Sequence, residues 1–162
     1  HVIRSPQGTI DVTDDSHLCY LIGKTGLAEP GSVERKYLDW CFVSGNSGLQ
    51  ARALRAAAHL GDESIRPLCE AIVRRDWAFV RSLGIVKLNA NPDDNDYQRL
   101  CFAAVEALRT VGNANSIAAL REGRRTMAST LDWLTYDVAE EIYWRVTGGL
   151  ANEPVAPGAK RH

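Results

Sequence analysis

The stretch from residue 49 to residue 76, LQARALRAAAHLGDESIRPLCEAIVRRD, constrains the fold more than any other part of the chain. Its first half carries an apolar stripe at helical spacing, and its alanines favour helix and allow close helix contacts. The stripe consists of Leu49, Ala53, Ala56, Ala57 and Leu60. The second half continues with Ile65, Leu68, Cys69 and Ile72. Because neither helix can bury its stripe alone, the stretch predicts an antiparallel helical hairpin.

The corner between the two helices has its own signals. Gly61 supplies the left-handed conformation that ends the first helix, and Ser64 is predicted to cap the second. Pro67 falls within the first turn of that helix, where it removes no intrahelical hydrogen bond.

A partial copy of this pattern follows downstream. Its first stripe consists of Tyr97, Leu100, Cys101, Ala104, Leu108 and Val111, and it ends at Gly112. A corner over 113–116 then leads to a helix with Ile117, Leu120 and Met127 on its apolar side. Hairpins that repeat and share a core predict an all-α chain built as an α-solenoid.

The line RALRAAAHLGDESIRPLCEAI resembles the HEAT-like repeat of phycobilisome lyases and many bacterial scaffolds. The matching features are the alanine-rich first helix, the Leu-Gly-Asp corner and the Ile-x-Pro-Leu entry to the second helix. The resemblance covers residues 47–150, with an insertion around residues 77–95. It implies a right-handed α-solenoid whose second helices line the concave side.

The chain divides into an irregular N-terminal cap (1–46), the HEAT-like repeat region (47–150) and a disordered tail (151–162). In the cap, residues 1–15 are predicted as a loop or at most one short strand. Ser16 should cap a short helix that ends near Gly23, and Ser32 should cap the next helix. The buried stripe of that second helix is predicted to be Val33, Tyr37, Trp40 and Cys41.

Three further segments complete the prediction. Residues 79–88 favour a helix with Gly84 inside it, although a strand also fits, and an acidic N-cap should follow in 89–96. The last helix should run from Thr130 to Gly148. Its predicted inward stripe consists of Leu131, Leu134, Val138, Ile142 and Val146, beside a charged ladder of Asp137, Glu141 and Arg145.

Composition narrows the function classes without selecting one. An apolar fraction of 45%, a charged fraction of 24% and a net charge of −1 are ordinary for a globular domain and give no overall attraction to nucleic acid. The sequence contains no run of about 20 apolar residues, which is the pattern that predicts a membrane-spanning helix. The scattered cysteines (Cys19, Cys41, Cys69 and Cys101) predict reduced thiols in a cytosolic protein rather than a disulfide framework.

Three short motifs resemble known sites but lack their context. Residues 23–26, GKTG, match only the end of a phosphate-binding loop, since Leu18 stands where its first glycine belongs. Residues 45–48, GNSG, resemble the nucleophile loop of trypsin-like proteases, but Ser47 is better explained as the N-cap of the central hairpin. Residues 91–96, NPDDND, lack the glycine and terminal glutamate of a calcium loop.

The predicted binding surface is a ridge of arginines on the second helices of the two hairpins. It consists of Arg66, Arg74, Arg75, Arg121, Arg124 and Arg125. If the hairpins stack, these side chains suit carboxylates or phosphates. The alternative is a solvated face partly neutralised by neighbouring acids.

Catalytic and metal sites are not predicted. The histidines lack metal spacing, and no cofactor is expected. Three Asp-Trp pairs resemble features of HEAT-like DNA glycosylases, although packing explains them better; they are Asp39-Trp40, Asp76-Trp77 and Asp132-Trp133. The acids Asp132, Asp137, Glu140 and Glu141 are interpreted as a solvated face rather than paired catalytic carboxylates.

The sequence therefore favours a non-enzymatic, cytosolic scaffold or regulatory module that binds an acidic protein partner on its concave face. Nucleic-acid binding through the same ridge, including remote base-excision chemistry, is the first alternative. A lyase-like chaperone for a small ligand, which the resemblance alone suggests, is the second.

Overall fold

The computed structural model describes residues 2–5, 8–11, 15–26, 28–88 and 92–148. Its helices are α1 (Asp15–Thr25), α2 (Val33–Val43), α3 (Ser47–His59), α4 (Arg66–Val73), α5 (Trp77–Leu83), α6 (Asp94–Val111), α7 (Ala114–Gly123) and α8 (Ser129–Thr147). Short 3-10 turns, Glu63–Ile65 and Arg124–Thr126, precede α4 and follow α7. The predicted all-α class is confirmed for the body of the chain, 15–148, in its described part.

The N-terminal segment differs from its prediction. Two strands, β1 (Val2–Ser5) and β2 (Gly8–Asp11), pair in an antiparallel hairpin with Ile3 opposite Ile10. The expected loop with at most one strand is therefore wrong. A pair of strands this short needs support from a neighbour, and β1 lies against α2. The predicted disordered tail (151–162) lies outside the described residues.

The two helices of the central stretch, α3 and α4, form on either side of the predicted corner, and the N-terminal cap of α3 lies one residue earlier than expected. In the described structure α4 packs mainly on α6 rather than on α3. The Asn46 side chain accepts hydrogen bonds from the backbone N–H groups of Gly48 and Leu49, at 2.9 and 3.1 Å. Ser47, predicted as the cap, is instead the first residue of α3 and is buried. Asparagine is as good a cap as serine, and here its side chain reaches both N–H groups at the helix start.

The corner after α3 contains the predicted left-handed glycine. Gly61 has φ +73°, and the hydrogen bonds from Gly61 and Asp62 to the carbonyls of Ala58 and Ala57 close the helix end. Asp62 then caps the 3-10 turn by accepting from the Ser64 N–H. The prediction of Ser64 as the cap of the second helix is wrong, because the 3-10 turn moves the start of α4 to Arg66.

Packing joins α3, α6 and α8 as successive neighbours that run in the same direction. Arg99 near the start of α6 donates to Ser47 at the start of α3, and the later residues Arg55 and Glu106 form an ion pair. Arg109 of α6 pairs with Glu141 of α8 at 2.9 Å. Residues near the N-terminal end of one helix thus contact residues near the N-terminal end of the next, and the C-terminal parts also contact each other. The three helices are therefore parallel.

The second helices of the two hairpins are also parallel neighbours. Glu70 of α4 accepts from the Ser116 hydroxyl of α7 at 2.6 Å, and Arg74 pairs with Glu122 one turn further along. In contrast, α4 and α6 are antiparallel, because the hydroxyl of Tyr97 at the start of α6 donates to the Val73 carbonyl at the end of α4.

The C-terminal end of α6 receives arginines from two neighbours. Arg66 of α4 donates to the Val111 carbonyl at 2.5 Å. Arg145 of α8 donates to the carbonyls of Arg109 and Gly112 at 2.5 and 2.8 Å. Carbonyls at a helix C-terminus have no intrahelical partner and carry partial negative charge, so cationic donors stabilise them.

The insertion between the hairpins consists of α5 and a connection held against α3. The Gln50 side chain is buried and donates to the carbonyls of Phe42 and Lys87, at 3.1 and 2.7 Å. The helix predicted to continue through Gly84 ends there, because Gly84 adopts φ +67° and caps α5. The predicted acidic cap of the following helix is confirmed, since Asp93 accepts from the Asp96 N–H at 2.8 Å.

The stripe predicted for α2 is largely wrong. Leu38, Cys41 and Phe42 are buried, whereas Val33 and Trp40 are about half exposed. The buried face also contains Glu34, whose Oε1 has no hydrogen-bond partner among the described residues. A glutamate on the inner face explains why apolar periodicity selected the neighbouring stripe.

The stripe of α6 is confirmed in full, and that of α8 in its first part. All six predicted residues of α6 are buried. In α8, Leu131, Val138 and Ile142 are buried, but Val146 is exposed. The charged ladder along α8 does not form, because Glu141 pairs with Arg109 and Arg145 turns to the carbonyl end of α6.

A substitution at Gly23 can test the close contact between α1 and α3. A Cβ atom at this position would lie 2.7 Å from the Ala56 Cα, so Gly23→Ala must push the two helices apart. We expect it to lower the free energy of unfolding by about 1–3 kcal/mol, although alanine is otherwise favoured in helices. Urea unfolding measures this loss. Lys24→Ala, on the exposed side of the same turn, is the control and should change stability by less than about 0.5 kcal/mol.

Asp62 gives a second prediction, on pH. Burial acts to raise the pKa of this carboxyl, but hydrogen bonds from Ser64 and Arg35 outweigh burial and hold the pKa below its ordinary value. Since the pKa is lower in the folded state, the charged form contributes stability above about pH 4, and this contribution is lost as the pH falls through the folded pKa.

Asp62→Asn keeps the capping oxygen but removes the charge that pairs with Arg35 at 3.0 Å. We expect the variant to be less stable than the wild type at pH 7, by under about 1 kcal/mol, and this difference to shrink towards pH 3. Urea unfolding of both proteins at the two pH values measures it. A difference of equal size at both values would show that the carboxylate charge contributes nothing.

Candidate binding surfaces

The arginines of the predicted ridge are largely engaged by acids of the protein itself. Arg66 pairs with Glu63 at 2.9 Å in addition to its contact with α6. Arg74 pairs with Glu122 at 2.7 Å, which joins α4 to α7. These guanidinium groups serve internal contacts, and an external carboxylate would have to compete with them.

Arg75 and Arg124 have aromatic as well as acidic partners. Arg75 adopts φ 58°, which is unusual for a non-glycine residue, and its guanidinium lies 3.7 Å from the centre of the Tyr97 ring. Arg124 donates to both carboxylate oxygens of Asp132, at 2.6 and 3.2 Å. The hydrogen bond from Arg124 lowers the pKa of Asp132.

Arg121 and Arg125 differ from the other four. Both are exposed, and no ion pair or hydrogen bond to either side chain occurs within the described residues. The six ridge residues therefore do not form one uncompensated basic surface. That the ridge binds a partner stays a prediction.

A different basic surface lies between α3 and α6, which we call the α3–α6 groove. It encloses about 570 Å³. Its lining residues are Gly48, Ala51, Arg52, Arg55, Gln98, Arg99 and Phe102. The residues of α3 that line it include the small Gly48 and Ala51, and both helices contribute arginines.

The charges of the groove are only partly compensated. The Arg55 guanidinium pairs with Glu106 and lies 5.8 Å from the centre of the Phe102 ring. Arg99 is exposed, and its one described polar contact is a long hydrogen bond, 3.5 Å, to the neutral Ser47 hydroxyl. Arg52 is exposed and has no ion pair in the described part of the chain. Two cations thus flank an aromatic ring that is 40% exposed.

A second depression, of about 320 Å³, adjoins the α3–α6 groove at Arg55. It is lined by Tyr20, Arg55, Ala58, His59, Glu106, Ala107, Arg109 and Thr110. Because α3 rises about 1.5 Å per residue, the two depressions together follow α3 for roughly 15–18 Å from Gly48 to His59. A short extended peptide would span that length.

Arg52, Arg55 and Arg99 are not among the binding residues predicted from the sequence. Each lies on the polar side of its own helix, and a polar side of one helix indicates only exposure. The repeat pattern could have indicated this surface. If the first helices of successive repeats are parallel, Arg52 and Arg55 lie alongside Arg99. The predicted ridge consists of residues on the second helices instead, because the resemblance implies that the second helices line the concave side.

The short motifs have structural roles. Residues 23–25 of the GKTG segment belong to α1, and Gly26 follows its end. Ser47 is buried and has Arg99 as its donor. Asp93 of the NPDDND segment caps α6, while Asn91 lies outside the described residues.

The Asp-Trp pairs lie on three different helices or their caps and are engaged separately. Asp39 pairs with Arg35, and Trp40, predicted to be buried, is 48% exposed beside Tyr37. Asp76 caps α5, and Trp77 packs edge-on against Tyr97. Asp132 is held by Arg124, and Trp133 is 72% exposed.

The four cysteines form no disulfide bond in the described structure, and all four are buried. Burial raises the pKa of Cys69 far above its ordinary value and that of Cys101 to about 11. Both thiols are therefore protonated near neutral pH and are poor nucleophiles. A covalent ligand-carrying role for Cys69 or Cys101 gains no support from this arrangement.

Among the described residues, no group of three histidine, cysteine or acidic side chains could hold a metal ion. No described helix is both long and apolar enough to cross a bilayer. Compared with protein families, with curated proteins and with solved structures, the chain gives no match.

The ridge yields a prediction that separates structural from exposed arginines. Arg66→Ala removes the donor to the carbonyl end of α6, so we expect it to lower the free energy of unfolding by about 1–2 kcal/mol. Arg121→Ala, on the neighbouring second helix, is the matched control and should change stability by less than about 0.5 kcal/mol. Chemical unfolding of both variants measures the difference. A loss below about 0.5 kcal/mol in Arg66→Ala, as expected for the control, would mean that the Arg66 contacts add little stability.

Proposed function

We propose that the chain is a short α-solenoid of HEAT-like hairpins that binds an acidic protein segment without catalysing a reaction. Two features support the α-solenoid. The parallel order of α3, α6 and α8 is the order expected of first helices in stacked hairpins, and α4 and α7 repeat it for the second helices. We also infer a cytosolic location, which is supported by four cysteines that are not joined in disulfide bonds in the described structure.

The observation that carries the binding proposal is the pair of uncompensated arginines on the α3–α6 groove. Arg52 and Arg99 come from different helices and face one depression without a carboxylate partner among the described residues. A guanidinium group binds a carboxylate through two parallel hydrogen bonds, so each arginine can hold one acidic side chain.

The apolar part of the groove adds a second requirement on the partner. Phe102 is exposed, and it lines the same depression as Ala51. An apolar side chain between two acids would cover Phe102, while the acids reach Arg52 and Arg99. We therefore propose a short acidic segment with at least one large apolar residue as the occupant.

A protein segment fits the groove better than nucleic acid does. Nucleic-acid affinity depends on many phosphate contacts, and the chain has a net charge of −1 and only two uncompensated arginines at this surface. Glu106, beside Arg55, would also repel a continuous line of phosphates. Nucleic-acid binding is thus the alternative that the experiment must separate.

The test is a binding titration by fluorescence anisotropy at low and moderate salt. The probes are a short labelled peptide rich in glutamate and leucine, its counterpart with lysine in place of glutamate, and a mixed-sequence DNA duplex. We expect micromolar binding of the acidic peptide and none of the lysine peptide. Arg52→Glu/Arg99→Glu should weaken binding by more than about tenfold.

The matched control is Arg121→Glu/Arg125→Glu, which reverses the same number of charges on the predicted ridge. Under our proposal this variant binds the acidic peptide like the wild type. If the ridge variant loses binding and the groove variant retains it, the ridge is the site and the groove proposal is wrong. Tighter binding of DNA than of the peptide, lost at moderate salt, would favour the nucleic-acid alternative.

A further inference from the structure

The sulfur atoms of Cys19 and Cys41 lie 3.3 Å apart, on different helices. Cys19 belongs to α1 and Cys41 to α2, and both side chains are fully buried. A disulfide bond requires about 2.05 Å between the sulfurs, so closure needs a relative movement of roughly 1.3 Å. Rotation of the two side chains about χ1 moves the sulfur atoms over distances of this size.

The other two cysteines provide a contrast within the same protein. Cys101 donates to the Tyr97 hydroxyl at 3.5 Å, and no hydrogen bond between its sulfur and that of Cys69 occurs among the described residues. Among the described residues, the hydrogen bond between two sulfurs is the one that joins Cys19 to Cys41.

We propose that Cys19 and Cys41 form a redox-sensitive pair that closes to a disulfide and ties α1 to α2. A peroxide is the oxidant class, since a small molecule is needed at a buried site. One thiolate attacks the O–O bond of hydrogen peroxide and becomes a sulfenic acid, and the displaced hydroxide leaves as water with the thiol proton. The second thiolate attacks the sulfenic sulfur, the S–S bond forms and a second water leaves. Two electrons pass from the two thiols to the peroxide.

The place of the pair in the fold gives the bond a consequence. Terminal elements open with lower free energies than a core, and α1 has one large helical contact, with α3. The peroxide reaches the thiols when α1 opens. Closure then joins α1 to α2, which packs separately on α3, so that opening of one helix requires opening of the other. The oxidised state holds the N-terminal helices more firmly than the reduced state.

The experiment treats the full chain in its native state with a small excess of hydrogen peroxide, then unfolds it in the presence of N-ethylmaleimide. Intact mass spectrometry counts the remaining thiols, and digestion with trypsin locates the bond. We expect the loss of two hydrogens, two alkylated cysteines rather than four, and a linked pair of peptides covering residues 5–24 and 37–52. A reductant should restore all four thiols.

Three results would overturn the proposal: four alkylated thiols after treatment, a bond that involves Cys69 or Cys101, or sulfinic acid at Cys19 or Cys41 without a bond. All of these are measured on the wild-type protein, so none depends on a variant that folds. A second measurement follows thermal unfolding, whose midpoint should rise on oxidation by about 5 °C. In Cys41→Ala the same treatment should leave the midpoint unchanged.

Discussion

Small side chains in α3 set the distances on which the packing of the chain depends. α3 contacts α1, α2 and α6, and its buried face is rich in alanine. Opposite it, Gly23 of α1 leaves no room for a Cβ, and α6 presents alanines of its own. Larger side chains at these positions would separate the helices and open voids that cost stability. The helices approach closely enough for Arg55 and Glu106 to pair across them. The side walls of the α3–α6 groove depend on the same short distance.

Sequence periodicity was sufficient for helices whose two sides differ clearly. The stripes of α4 and α6 are apolar without interruption, and both are buried as predicted. In α2 two adjacent stripes share Cys41, and the buried one contains Glu34. Tertiary contacts select between such stripes, and a single sequence does not show them. The helix caps differ by one or two residues for a related reason, because Asn46 and Ser47 are both good capping residues and only geometry separates them.

The candidate site was harder to predict because it belongs to two helices. Arg74 was predicted to be a binding residue, but it pairs with Glu122, which is distant in sequence and adjacent in space. Conversely, Arg52 and Arg99 become neighbours of one depression only when α3 and α6 lie in parallel. Neither the pairing of Arg74 nor the proximity of Arg52 and Arg99 can be inferred from the net charge or from counts of charged residues along the chain. The same holds for the thiols, since residues 19 and 41 have no spacing that indicates contact between their sulfurs.

The arginines at the carbonyl end of α6 have a mechanical consequence. Arg66 arrives from α4 and Arg145 from α8, so two neighbours hold the same end from different helices. Sliding α8 along α6 by one turn would break its charge-assisted hydrogen bonds together with the pair between Arg109 and Glu141. Rotation about that end preserves these contacts better than translation does. Under mechanical load, we therefore expect α4, α6 and α8 to rotate about the C-terminal end of α6 rather than to slide past one another.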